Sequence, residues 1–139
     1  MKLHRNSPGY FLLFIILISL AFPSLAQKSS KNSDKYLISA EDFKSKVENK
    51  DNIVILDVRT PEEYEESHIK GSVNVDYKNE NFREQIVKLD EGKKYYIYCR
   101  SGKRSANSRK IMNELGIKRV YDLQGGILAW KKQDYPLMK

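Results

Sequence analysis

An apolar run that leads into a cationic loop is the feature that most restricts how this chain can fold. Residues 95–98 (YYIY) are typical of a buried strand, and residues 99–105 (CRSGKRS) follow at once. From Ser105 to Leu115 apolar residues recur at helical spacing, and Gly116 is placed to end that helix. In open α/β folds the loop of a strand–loop–helix unit lies at the carboxyl end of the sheet, where ligands bind. The loop amides and the helix N-terminus should therefore converge on a small volume that favours an anion.

The only cysteine of the chain, Cys99, is the first residue of this loop. We expect its thiolate to be stabilised by the loop donors and by the cations Arg100, Lys103 and Arg104. An inert buried cysteine is the commoner fate of a single cysteine. A cationic loop that opens a helix is nevertheless the environment that activates a thiolate, so we interpret Cys99 as a nucleophile.

The first residues of the chain are typical of an export signal. Lys2, His4 and Arg5 are basic, residues 10–22 are mainly apolar, and residues 24–26 (SLA) match a small-x-small cleavage site. The apolar run is short for a bilayer span, which favours cleavage over the alternative of an uncleaved anchor. The sequence therefore predicts an exported protein, periplasmic or secreted, with no membrane attachment after cleavage.

Three segments follow from this interpretation: a cleaved signal peptide at 1–26, a polar tether at 27–34 and a single domain at 35–139. The formal net charge is +7, but no basic stripe interleaved with aromatic residues indicates nucleic acid binding. A small anionic substrate is the better explanation of the charge.

The scarcity of cysteine and histidine excludes several kinds of site. A single cysteine forms no internal disulfide and no cysteine cluster for a metal, although an intermolecular disulfide stays open. His68 is the only histidine after residue 26, and we interpret it as a structural imidazole rather than the base of a Cys–His hydrolase. Neither a GxGxxG nor a GxxxxGK[ST] motif occurs, so no nucleotide, cofactor or metal is expected.

Strands and helices alternate along the predicted domain. The predicted strands share apolar, mainly β-branched or aromatic composition and cover 36–38, 53–58, 72–75, 95–98 and 119–123. Two predicted helices begin after the N-caps Ser39 and Thr60, and three more cover 81–89, 105–115 and 127–132. This alternation predicts an α/β domain with a five-stranded, mostly parallel sheet and helices on both faces.

The acid and the base that end the second predicted strand have a structural interpretation. We expect Asp57 to cap a backbone turn and Arg59 to pair with an acid such as Glu63. Gly102 is expected to serve the close approach of the loop backbone rather than the chemistry.

Four blocks in order resemble the rhodanese family of sulfurtransferases. They are residues 56–64 (LDVRTPEEY), 68–74 (HIKGSVN), the Cys99 loop, and 123–126 (LQGG) with Trp130. The resemblance covers about residues 35–137 and implies a single rhodanese-like domain. Ser67 and Lys70 stand where the family has glycine and proline, both away from the loop.

The resemblance implies that Cys99 carries sulfur as a persulfide. The donor would be thiosulfate or a similar small anion, and the acceptor cyanide or a thiol, with a thioredoxin-like redox protein as a candidate. It further implies a substrate-binding loop made of Arg100, Ser101, Gly102, Lys103, Arg104 and Ser105, and no cofactor. We expect the protein to be a monomer.

The length and charge of the loop separate this family from its relatives. Four residues lie between Cys99 and Arg104, as in sulfurtransferases, whereas the related phosphatases and arsenate reductases have five. The basic loop favours thiosulfate over mercaptopyruvate. A non-catalytic persulfide carrier or sensor that binds a redox partner stays open as the alternative.

Overall fold

The computed structural model describes residues 34–48 and 51–139. The predicted signal peptide and almost all of the predicted tether lie outside the described residues. Strands and helices alternate without exception in the described part, in the order β1 (Leu37–Ile38), α1 (Ala40–Glu48), β2 (Ile53–Asp57), α2 (Pro61–Glu66), β3 (Ser72–Asn74), α3 (Phe82–Val87), β4 (Lys94–Tyr98), α4 (Lys103–Glu114), β5 (Val120–Leu123) and α5 (Gly126–Lys132).

The strands form one sheet in the order β1-β5-β4-β2-β3, and every neighbouring pair is parallel. The predicted five-stranded α/β sheet is therefore confirmed, and in the described residues it is wholly rather than mostly parallel. β4 is the central strand, and Tyr95 to Tyr98 are buried on both faces. Parallel pairing brings all carboxyl ends to one edge, so Cys99 leaves the sheet at the middle of that edge.

Alternate residues of the strands pack under different helices. Leu56 and Ile97 belong to a core with Phe82 of α3 and Met112 of α4. On the other face Tyr96 packs with residues of α1 and α5. Full burial of one such side chain stabilises the fold by about 1.5–3 kcal/mol, so the two covered faces explain the continuous apolar strands.

The helix starts follow capping chemistry. The amide of Asp42 donates to Ser39 Oγ over 3.1 Å, and Thr60 forms a capping box with Glu63, as the sequence indicated. The helix after the Cys99 loop begins at Lys103, two residues earlier than predicted.

The cause of that earlier start is Gly102, whose φ of +108° ends the loop one residue before the helix. Lys103 and Arg104 therefore lie in the first turn of α4, not in the loop. The predicted helix at 81–89 is also shorter, at Phe82–Val87. No helix of residues 34–48 and 51–139 has the length and hydropathy needed to cross a bilayer.

Candidate active site

The Cys99 sulfur lies in a small cage of donors directly after β4. The Gly102 amide donates to Cys99 Sγ over 3.1 Å, and the Ser105 hydroxyl lies 3.5 Å from the same sulfur. Cys99 is only 1% exposed. Gly102 has a φ of +108°, so a side chain at this position would be strained. The loop thus directs an amide and a hydroxyl donor at the Cys99 sulfur, as the sequence indicated.

The N-terminus of α5 supports the loop from behind. The amide of Ile127 donates to the carbonyl of Cys99 over 2.8 Å, and that of Leu128 to the carbonyl of Arg100 over 3.2 Å. A Cβ on Gly126 would lie 2.5 Å from both carbonyl oxygens. The sequence indicated only a tight turn here, although two consecutive glycines signalled that backbone comes close.

The predicted substrate cations differ in what they contact. Arg100, Ser101 and Lys103 are exposed, and neither cation forms an ion pair with another described residue. Arg104 instead binds both carboxylate oxygens of Glu63, over 2.7 and 2.8 Å. These hydrogen bonds lower the pKa of Glu63 to about 2. A role for Arg104 in substrate binding stays a prediction.

Arg59 pairs with an acid, as expected, but that acid is Asp57 and not the suggested Glu63. Arg59 instead binds the neighbouring Asp57, with Nη2 2.6 Å from Oδ2, and also donates to the carbonyl of Ser67 over 2.7 Å. Glu63 faces the start of α4, where Arg104 lies. The expected turn cap is present, since the Arg59 amide donates to Asp57 Oδ1 over 2.9 Å.

His68 has structural contacts, in line with the interpretation from sequence. Its Nδ1 lies 3.0 Å from the carbonyl oxygen of Tyr64, and its ring stacks on the Tyr64 ring at 3.9 Å between centroids. Its backbone pairs with Met138 near the C-terminus. These contacts occupy the imidazole away from the chemistry of the loop.

A buried carboxylate near the loop was missed by sequence reasoning. Asp122 in β5 is 1% exposed, and neither of its oxygens has a hydrogen-bond partner among the described residues. Burial raises its pKa to about 6, although the Ser105 hydroxyl and the Arg109 guanidinium act in the opposite direction. The sequence signal that could have indicated it is a single acidic residue in the otherwise apolar β5.

A polar cleft of about 230 Å³ adjoins the loop. Arg100, Lys131 and Glu66 line it together with the side chain of Leu128. It offers a small ionic molecule a place beside Arg100, the residue that follows Cys99 in the loop. Among the described residues no group of three or more His, Cys, Asp or Glu side chains is arranged to hold a metal ion.

Comparison with known proteins bears on what this site does. The model of the rhodanese-like domain family matches residues 39–133. The chain is 35% identical over 99 residues to the Bacillus subtilis protein YtwF, which is provisionally named a sulfurtransferase; the match covers 71% of this chain and 93% of YtwF. It is 37% identical over 105 residues to YrkF of the same organism, provisionally named a sulfur carrier protein. That match covers 75% of this chain and 56% of YrkF, so the chain spans little more than half of that relative.

Solved structures agree with the fold. A rhodanese-related protein from Thermoplasma volcanium is 32% identical, with a TM-score of 0.64, over 73% of this chain and 95% of that protein. The matches to the family model and to a relative named as a sulfurtransferase support sulfur transfer as the general activity. It leaves the donor and the acceptor open.

Proposed function

Because this chain belongs to the rhodanese-like domain family, we propose that it transfers a sulfane sulfur from thiosulfate or a similar anionic donor to a thiophilic acceptor, through a persulfide on Cys99. The observation that carries the proposal is the cage around Cys99 Sγ, in which the Gly102 amide and the Ser105 hydroxyl face the sulfur. Donors in this arrangement stabilise a sulfur anion before and after the transfer.

The chemistry is a double displacement. The Cys99 thiolate attacks the outer sulfur of thiosulfate, a new sulfur–sulfur bond forms, and sulfite leaves with the electron pair of the broken bond. An acceptor such as cyanide or a thiolate then attacks the outer sulfur of the persulfide, which regenerates the Cys99 thiolate. No net oxidant or reductant is needed for either step.

The charges around the loop support an anionic donor. Arg100 and Lys103 are exposed at the loop, and Lys131 lies across the adjoining cleft. Their fields raise the local concentration of a dianion and offset its charge as it approaches the thiolate. The 1% exposure of Cys99 favours a small donor over a bulky one.

A carrier function is the second candidate, supported by the relative that is provisionally named a sulfur carrier protein. In that case a partner protein would load Cys99 and free thiosulfate would not. The two candidates share the persulfide and differ in the donor.

Whole-protein mass spectrometry before and after thiosulfate, with a cyanide chase, tests the proposal. We expect a gain of one sulfur that the chase removes, and no gain in Cys99→Ser. Ser45→Ala, at an exposed position of α1 outside the loop, serves as the control and should still load. Absence of the gain from folded protein would reject thiosulfate as donor; loading by a persulfidated protein alone would select the carrier function.

We further propose that the protein is exported and loses residues 1–26, on the basis of its basic, apolar and small-residue N-terminal pattern. Intact mass and N-terminal sequencing of protein expressed from the full sequence test this. The expected product begins at Gln27. Protein that keeps Met1 and sediments with membranes would contradict cleavage.

A further inference from the structure

A second cavity lies on the α1 side of the sheet, towards the amino ends of the strands. Its volume of about 280 Å³ is close to the lower end of the range of about 300–1,000 Å³ that is usual for small-molecule pockets. The residues that line it include Lys35, Asp42, Lys46, Lys94, Tyr96 and Tyr121. None of these six lines the cleft beside the Cys99 loop.

The length of the central strand separates this cavity from Cys99. Lys94 begins β4 and Cys99 follows its last residue, so about 16 Å of extended backbone lies between the two residues. Because side chains alternate across a sheet, Lys94 lies on the same face as Tyr96, which packs with residues of α1. A small molecule held here is therefore remote from the sulfur.

Tyr96 is the buried part of the cavity wall. It is 4% exposed, its ring stacks on the Tyr121 ring at 5.0 Å between centroids, and the Phe43 ring meets it edge-on at 5.6 Å. The hydrogen bonds of the described residues include none to the Tyr96 hydroxyl, whose pKa is raised by burial and by Tyr121. The hydroxyl therefore keeps its hydrogen at neutral pH and is able to donate it.

This free hydroxyl opens into the cavity. Among the described residues, the side-chain N and O atoms that are both unpartnered and shut off from solvent are the two Asp122 oxygens. The Tyr96 hydroxyl also lacks a partner, so it must keep contact with accessible space, and the cavity is where Tyr96 meets that space. A polar group on an otherwise buried side chain is costly unless something bonds to it, which points to a ligand with an acceptor atom.

Three lysines determine the charge of that ligand. Lys35, Lys46 and Lys94 are exposed, and none of them forms an ion pair with another described residue. Asp42 is the one acidic residue among the described residues that line the cavity, and its Oδ2 accepts from Ser39 Oγ over 3.0 Å. The described side chains thus leave the cavity with an excess of positive charge, which favours an anion.

We propose that this cavity binds a phosphoryl group, either as free inorganic phosphate or as the end of a small phosphomonoester. Its oxygens would accept from the Tyr96 hydroxyl and from the lysine ammonium groups. A phosphoryl group carries up to two charges and three acceptor oxygens on one atom, which suits several cations and one hydroxyl better than a single carboxylate does. Ile38 and the Tyr121 ring give the same cavity apolar wall for an organic group. The inference does not depend on sulfur transfer.

NMR titration of the ¹⁵N-labelled protein at constant ionic strength distinguishes this cavity from the cationic Cys99 loop. The probes are phenyl phosphate, inorganic phosphate and benzenesulfonate, which resembles phenyl phosphate in shape but carries one charge. We expect saturable amide shifts at Lys46 and at residues 94–96 with phenyl phosphate, and binding of benzenesulfonate that is at least fivefold weaker. Shifts at Gly102 report any separate binding to the loop.

The variants test the two kinds of contact. Tyr96→Phe removes the hydroxyl and keeps the ring, and it should weaken the binding of phenyl phosphate about tenfold, because a hydrogen bond to a charged group is lost. Lys46→Gln changes only an exposed residue of α1 and should weaken binding about twofold to fivefold. Lys88→Gln is the matched control, since Lys88 is exposed after α3, which packs on the opposite face of the sheet. Its affinity should equal that of wild type.

The two sources of the phosphoryl group give different results. Inorganic phosphate that binds as tightly as phenyl phosphate would identify the free anion as the occupant, and weaker binding would identify a phosphomonoester. Shifts confined to the Cys99 loop would overturn the inference. Equal affinities of wild type and Tyr96→Phe would also overturn it, as would equal losses in Lys46→Gln and Lys88→Gln. Cys99→Ser should bind at the cavity as wild type does, so a failure of persulfide loading leaves the inference standing.

Discussion

Two buried aspartates, one on each side of the central strand, differ in how many hydrogen bonds their carboxylates accept. Asp57 ends β2 and Asp122 lies in β5; both strands flank β4, and the two residues are 0% and 1% exposed. Asp57 receives hydrogen bonds from the backbone amide, Nε and Nη2 of Arg59. Asp122 receives none from the described residues.

The difference comes from where each partner lies in the sequence. Arg59 is two residues from Asp57, so the turn after β2 brings the guanidinium to the carboxylate locally. The sequence neighbours of Asp122 are Tyr121 and Leu123, which supply no donor, and the Arg109 guanidinium above it binds Asp34. Asp57, whose carboxylate accepts several hydrogen bonds, holds the turn after β2 in place. Asp122, whose carboxylate accepts none from the described residues, is able to change its protonation state near pH 6.

The largest expected loss of stability follows from removing the side-chain partner of Asp57, which leaves its carboxylate more like that of Asp122. Arg59→Ala leaves the buried Asp57 carboxylate without its partner, and we expect a loss of about 3–5 kcal/mol in the free energy of unfolding, measured by urea denaturation. Arg83→Ala is the control, because Arg83 forms an exposed pair with Glu114 and should change stability by about 0–1 kcal/mol. Equal small losses in both variants would contradict the comparison.

A smaller effect should follow from neutralising Asp122. Its pKa is raised from 3.8 to about 6, so the folded state binds protons more tightly than the unfolded state. Its destabilising influence is therefore absent below pH 3.8, grows as the pH rises, and is complete above about pH 6. We expect Asp122→Asn to gain about 3 kcal/mol in the free energy of unfolding at pH 8 and to lose that gain at pH 4. An increment that does not change with pH would contradict this account.

The smallest expected change in stability concerns the ion pair between Glu63 and Arg104 at the start of α4. The pKa of Glu63 is lowered to about 2 by Arg104, so its contribution is complete above pH 4.5 and is lost as the pH falls towards 2. The pair is partly exposed, so Glu63→Gln should cost about 1 kcal/mol at pH 7.

The difference between Glu63→Gln and wild type should shrink in acid, as measured by urea denaturation at pH 7 and pH 3. Glu66→Gln, an exposed acid of the same helix, is the control. A cost for Glu63→Gln that persists unchanged at pH 3 would show that the Glu63 charge is not its source.

Much of this protein was determined by the sequence alone. Alternating apolar runs and capping residues such as Ser39 and Thr60 predicted the α/β sheet, since these signals act within a few residues. The Cys99 loop, between an apolar strand and a helix, predicted that the Cys99 thiol lies at the end of a buried strand, which the structure confirms. The resemblance to the rhodanese family is confirmed by the family model. Local backbone preferences and hydrophobic periodicity carry this information.

Tertiary structure decided how the charged groups are paired. Glu63 has two arginines within reach, and only the position of α2 beside the start of α4 selects Arg104 over Arg59. The isolation of Asp122 likewise depends on how α4 crosses β5, because Arg109 reaches Asp34 rather than the buried carboxylate. Pairing of this kind depends on distances of a few ångströms between elements far apart in the chain, and no local pattern in the sequence records those distances.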